Sequence, residues 1–264
     1  MEGLLLILNQ LLTHPVYAPL FAAILGAVLG SFIAALVSRW PVNRSIFEPR
    51  STCDACGAKL RSHELIPIVS YLIQRGKCRR CGAAIEADAI SIEVIAALVG
   101  ALSLIIAPGW EGVTLALFGW LLLPLAWLDF RHYWLPDPLV IVLALGGLAI
   151  AATGSFPPPL ADRLVGAVGG FALLALVSIG YRALRGRDGL GEGDPKLFAA
   201  IGLWLGWQVL PVLLFMAASL GLILALVAMI GGRDMTGTSQ FPFGTLMAIP
   251  AWILLAADAP ALFS

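Results

Sequence analysis

The stretch VTLALFGWLLLPLAWL (Val113–Leu128) runs without a break into DFRHYWLPDP (Asp129–Pro138). The first part carries no charge and reads as a membrane-spanning helix. The second places a carboxylate at the helix boundary, then aromatic residues and two prolines that forbid a continuous helix. A carboxylate at a membrane boundary is costly and usually has a task there. Asp129 therefore decides two things at once: where a span ends and where chemistry can begin.

The rest of the chain has the same character. Of 264 residues, 60% are hydrophobic and only 12% charged, and the mean hydropathy is +0.94, far too apolar for a soluble globular domain. Apolar runs recur at 18–37, 90–107, 113–128, 139–152, 164–184 and 241–262. Residues 197–230 are too long for one span and tight for two, with Gly206-Trp207-Gln208 as the expected turn. The expectation is an all-α polytopic membrane protein of about eight transmembrane helices. Met1–Leu12 is apolar but lacks a basic lead and a small-residue cleavage site, so it reads as an interfacial approach to the first span.

The net charge is zero, yet the sixteen Lys and Arg are unevenly placed: nine lie between Arg39 and Arg80 and four between Arg182 and Lys196. By the positive-inside rule both segments face the cytoplasm, as does Gly231–Gln240. Alternation of spans puts the loops containing Asp129 and Asp194 on that side too. The expected organisation is an N-terminal segment with the first helix (1–40), a cytoplasmic module (41–89) and a membrane domain (90–264). No nucleic-acid partner is expected, and the oligomeric state is left open.

The module holds all four cysteines, as Cys53-x-x-Cys56 and Cys78-x-x-Cys81, each pair followed by a glycine, Gly57 and Gly82. Four thiolates around one ion make a closed, structural zinc site. The bland alternative, two disulfides or four buried thiols, fits poorly with a reducing compartment. His63 lies between the knuckles, but four cysteines already fill the shell.

The second boundary carboxylate, Asp194, stands in Gly189-Leu190-Gly191-Glu192-Gly193-Asp194-Pro195-Lys196. Two close carboxylates in a poorly solvated site share a proton, the condition for aspartyl peptidase chemistry. Glycines 189, 191 and 193 are expected to give the loop unusual dihedrals and a close approach to an extended substrate. Read alone, Gly-x-Gly-Asp is equally a flexible loop, and the Lys-Ser/Thr of a phosphate-binding loop is missing. Asp137, between Pro136 and Pro138, reads as a turn or supporting residue. Arg131, His132 and Lys196 are candidates to tune the pair's charge.

Taken in order, Gly30-Ser31-Phe32, Arg39-Trp40-Pro41, the two knuckles with Ile66-Pro67 and Arg75–Arg79, Asp129–Asp137, Gly191–Leu197 and Pro242-Phe243-Gly244 resemble the type IV prepilin peptidases. These are Gly-x-Gly-Asp membrane aspartyl peptidases of the bacterial inner membrane. The resemblance implies that Asp129 and Asp194 are the catalytic carboxylates, with Gly191, Gly193, Lys196 and Asp137 in support. It implies metal binding by Cys53, Cys56, Cys78 and Cys81. The implied substrates are type IV prepilins or type II secretion pseudopilins, met in membrane lipid and cut at a short basic leader on the cytoplasmic face. Many members also methylate the new amino terminus with S-adenosylmethionine. The chain departs from the family pattern at Ala34 and in Asp88–Ile92, both in the half associated with methyl transfer. The rival reading is an ion- or proton-coupled transporter with a regulatory zinc module; against it, no carboxylate is expected in mid-span. A second rival is an assembly factor with inert aspartates.

Overall fold

In lipid every backbone N–H and C=O must be satisfied within the protein, so apolar runs of this length form helices. The computed structural model describes residues 9–42, 44, 52, 53, 55–154, 156–186, 189–232 and 241–258, and all regular structure among them is helical. The helices are α1 (Tyr17–Arg39), α2 (Val69–Ile73), α3 (Ala87–Ile106), α4 (Trp110–His132), α5 (Asp137–Ala152), α6 (Leu160–Arg185), α7 (Asp194–Leu205), α8 (Leu210–Ile230) and α9 (Phe243–Asp258). Most of Met1–Leu12, most of the loop expected at Gly231–Gln240, and the end of the final span lie outside the described residues.

By length and composition five of these helices could cross a membrane: α1, α3, α4, α6 and α8. The other expected spans correspond to shorter helices, with 16 residues in α5, 12 in α7 and 16 in α9. The turn expected at Gly206 is present, with φ +75° at Gly206 separating α7 from α8. One boundary is corrected. Asp129 does not open a loop, because α4 continues to His132 and stops at Tyr133, whose φ is +51°. Nothing from Asp129 to His132 breaks a helix; the first proline, Pro136, restricts only its neighbour.

The chain divides into two compact units after Pro124. In the first, α1 and α3 pack backbone to backbone. A Cβ at Gly26 would run into the Ala96 carbonyl, and one at Gly100 into that of Ala22. Small residues allow such close approach where lipid gives helices no hydrophobic reason to associate. Trp120 of α4 donates from Nε1 to the Ala96 carbonyl at 2.9 Å. The buried Glu93 accepts the Ile68 N–H at 2.7 Å, fastening the start of α2 to α3.

The second unit is built around α7. Ten of its twelve residues are buried, so the shortest of its helices is its core. Helices α5, α6 and α9 pack on it, and Trp204 Nε1 donates to the Leu143 carbonyl of α5 at 2.8 Å. Its C-terminal end is clamped by two consecutive residues of α6. Arg163, only 2% exposed, donates to the carbonyls of Pro158 (2.8 Å), Leu203 (2.9 Å), Phe156 and Pro157 (both 3.1 Å). Asp162 accepts from Trp207 Nε1 at 3.1 Å and Gln208 Nε2 at 2.8 Å. A buried guanidinium is tolerable because four carbonyl dipoles replace its water.

Candidate active site and metal centre

Asp194 is the first residue of α7, and Pro195 follows it where a missing N–H costs the helix nothing. Asp129 is in the last turn of α4. Both side chains are buried, at 5% exposure each, and they lie close enough for the charge of one to act on the other. Leu135 sits beside both segments: a Cβ on Gly193 would fall 2.7 Å from Leu135 Cβ, and one on Gly244 would fall 3.1 Å from Leu135 Cδ1. Asp194 Oδ2 accepts the Gly191 N–H at 3.0 Å. Asp129 Oδ2 accepts the Thr245 N–H at 2.7 Å and lies 3.1 Å from Thr245 Oγ1, which in turn lies 2.8 Å from the Ala126 carbonyl.

The glycines before Asp194 serve differently from the expectation. None of Gly189, Gly191 and Gly193 has positive φ. What matters is the missing Cβ: at 189 it would meet the Tyr181 ring, at 191 the Asp194 carboxylate at 3.1 Å, and at 193 the Leu135 side chain. Gly244 is a fourth such position, because a Cβ there would lie 3.0 Å from Asp129 Oδ2. These glycines let backbone close over the two acids.

Asp137 begins α5 and pairs with Lys196 Nζ at 2.7 Å, with both side chains about half exposed. At 100° per residue, Lys196, Ala199, Ala200 and Leu203 share the face of α7 opposite Asp194. They border a cavity of about 380 Å³ with residues of α5 and α6. The expected support from Lys196 and Asp137 is thus an ion pair on the far side of α7. Arg131 lies over the Phe130 ring, 5.8 Å from its centre.

The cysteines form a second cluster. Each knuckle repeats one pattern: the first cysteine's N–H donates five residues ahead (Cys53 to Ala58, 2.9 Å; Cys78 to Ala83, 2.8 Å), and the following glycine donates back to it (Gly57, 2.8 Å; Gly82, 2.9 Å). Gly57 and Gly82 have φ +66° and +72°, which glycine alone adopts freely. All four Sγ atoms lie within 4.8 Å of one another, and Cys53 and Cys81 are 3.8 Å apart. Tetrahedral zinc at 2.3 Å from each sulfur needs S···S distances of about 3.8 Å, so the donor set fits. N–H groups of Cys81 and Arg80 lower the Cys78 thiol to about 6. Cys81 goes up to about 11: the Ala83 N–H favours its thiolate, but desolvation and the three neighbouring sulfurs outweigh it. His63 contacts Arg79 at 3.4 Å and lies outside the cluster.

The half of the chain that the resemblance associates with methyl transfer is closely packed where α1 meets α3. The close glycines of the first unit, Gly26, Gly30 and Gly100, are filled by the facing helix backbone, and Glu93 Oε2 is taken by Ile68. Ala34 is buried in α1 and Asp88 lies in the first turn of α3.

Thr245 was not singled out by the sequence, although it directly follows the Pro242-Phe243-Gly244 motif. Its partner is 116 residues away, and no local pattern announces such a contact.

The family model described as "Bacterial Peptidase A24 N-terminal domain" matches residues 24–107, and the "Type IV leader peptidase family" model matches residues 115–226. A relative from Aeromonas salmonicida (strain A449), called prepilin leader peptidase/N-methyltransferase, is 36% identical over 80% of this chain and 72% of its own length. Relatives with the same name from Neisseria gonorrhoeae and Burkholderia pseudomallei (strain K96243) are 36% and 38% identical, over 81% and 79% of this chain and 73% and 67% of theirs. No solved structure matches the chain. Sequence likeness along both units and the order of motifs agree: the chain belongs to the type IV leader peptidase family.

Proposed function

We propose that this protein is a membrane-embedded aspartyl endopeptidase that removes the leader from type IV prepilins or type II secretion pseudopilins. The observation that carries the reading is the meeting of two buried carboxylates, Asp129 and Asp194, at helix ends in one compact unit. Buried like charges at close range ionise one at a time. In such a pair the ionised acid takes a proton from water as it attacks the scissile carbonyl, while the protonated acid donates to the carbonyl oxygen. Gly191, Gly193 and Gly244 keep the pair covered without crowding it.

The names of the relatives extend the proposal to N-methylation of the new amino terminus with S-adenosylmethionine as methyl donor. The thiol cluster is read as a structural zinc site that folds a module with little apolar material of its own. Positive-inside topology supports an inner-membrane protein with the acid pair on the cytoplasmic side. The test is coexpression with a prepilin. Asp129→Asn and Asp194→Asn each accumulate in the membrane and leave the precursor uncut; full processing by either removes the pair from the mechanism.

A further inference from the structure

The two acids are held by unequal partners. Among the described residues Asp194 receives one N–H, from Gly191 in the preceding loop, at 3.0 Å. Asp129 receives the Thr245 N–H at the shorter distance of 2.7 Å, and the Thr245 hydroxyl stands 3.1 Å from the same oxygen. Thr245 lies in the first turn of α9, which begins at Phe243. N–H groups in a first turn have no acceptor within their own helix and carry the positive end of its dipole. The α9 ladder takes up with the bond from Leu246 N to the Pro242 carbonyl at 3.1 Å, so the Thr245 N–H is available to Asp129.

We infer that Thr245 is a positioning residue that divides the labour of the acid pair, holding Asp129 as the ionised base and leaving the shared proton on Asp194. This rests on the aspartyl-peptidase reading above and goes beyond it by giving each acid a role.

The hydroxyl makes the arrangement responsive. Thr245 Oγ1 has one hydrogen and two acceptors in reach, the Ala126 carbonyl at 2.8 Å and Asp129 Oδ2 at 3.1 Å. When Asp129 is neutral, the nearer carbonyl takes it. When Asp129 is charged, a charge-assisted bond is the stronger, and rotation about one bond supplies a second donor without moving the backbone. Negative charge on Asp129 therefore meets a helix N-terminus and a turning hydroxyl. Negative charge on Asp194 would meet the start of its own helix α7 and one loop N–H, with no hydroxyl to turn toward it.

The chemistry then runs in one direction. The water oxygen bonds to the scissile carbonyl carbon and its proton passes to the Asp129 carboxylate, while the Asp194 proton passes to the carbonyl oxygen. Asp129 next gives its proton to the departing nitrogen as the C–N bond breaks, and Asp194 recovers one from the tetrahedral hydroxyl. A carboxylic acid and an amine leave, and the pair is restored with the proton on Asp194.

The test uses the full chain, purified in detergent with a prepilin, and steady-state cleavage of three variants. Thr245→Ser keeps both donors, Thr245→Ala keeps only the N–H, and Thr245→Pro keeps neither while suiting a first helical turn. The expected result is a graded fall in kcat with KM unchanged: within about 2-fold for T245S, roughly 10-fold for T245A and roughly 100-fold for T245P, the scale of hydrogen bonds to a charged group. Wild-type kcat in T245A, or a raised KM with kcat preserved, overturns the inference, as does T245S falling as far as T245A. Should T245P fail to accumulate, the T245S and T245A pair decides. Asp129→Asn assayed alongside separates the two claims: an active D129N refutes the acid pair itself, whereas an inactive D129N with fully active Thr245 variants refutes only the role of Thr245.

Discussion

The cysteine cluster and the acid pair are both gatherings of four or fewer polar side chains in an apolar protein, but they are assembled in opposite ways. The sulfurs come from two short knuckles, each closed by its own backbone bonds and its own glycine turn. The acids come from the end of one helix and the start of another, and their surroundings come from a third. A locally built site declares itself in residue spacing. A site built across helices does not. Their chemistry differs in the same sense: four sulfurs at mutual contact leave an ion no open position, while two buried acids at close range can share a proton.

The comparison is broken most sharply at the acids. Asp129→Asn or Asp194→Asn is expected to lower cleavage by about 10³-fold or more, at the upper end of what general acid–base catalysis supplies, measured as processed and unprocessed prepilin. If either retains activity, the two clusters are alike in being structural. Next comes the metal. Elemental analysis of the purified protein is expected to give about one zinc per chain. The double substitution Cys53→Ser with Cys78→Ser should remove it and make the module sensitive to limited proteolysis, while a metal-free wild type would refute the zinc reading.

A smaller effect sharpens the role of the covering glycines. Gly244→Ala places a methyl group 3.0 Å from Asp129 Oδ2 and 3.1 Å from Leu135 Cδ1. It is expected to reduce kcat roughly 10-fold by shifting the acid, the cost of a small misplacement near the chemistry. Gly57→Ala, in open space with φ +66°, is expected to leave kcat unchanged and to lower zinc retention on dialysis against chelator. The least effect belongs to the ion pair behind α7. Lys196→Ala removes a half-exposed contact to Asp137, worth less than about 1 kcal/mol, and thermal unfolding in detergent should shift by no more than a few degrees.

The helical plan was legible because lipid leaves the backbone few choices: the apolar runs became helices, and the turn at Gly206 fell where the glycine stood. The end of α4 was misplaced because a charge was read as a break, whereas only prolines and backbone geometry end a helix. Asp129 is helical for that reason, and being helical fixes its direction toward Thr245. The glycines of the Asp194 loop were visible as a motif, but their service is steric, set by Tyr181, Asp194 and Leu135, and no sequence pattern names those neighbours. Lys196 stood two residues from Asp194 and looked like a tuning charge; helical geometry turns it about 200° away. Thr245 had a signal, the motif just before it, that went unused because its value depends on a partner 116 residues distant.

Asp194 opens the shortest helix of its unit, whereas Asp129 stands in the last turn of the 23-residue α4. At 1.5 Å per residue the 12 residues of α7 reach about 18 Å and the 16 of α5 about 24 Å, against roughly 30 Å of hydrocarbon. α7 and α9 begin at the acids, with Asp194 as the first residue of one and Thr245 in the first turn of the other. A bilayer meeting such helices must thin, or let its headgroups and water sag inward by about 6–12 Å. Hydrolysis consumes water, which lipid excludes. Helix length thus becomes a means of hydration, and cleavage rates should rise in bilayers of shorter acyl chains and fall as the chains lengthen.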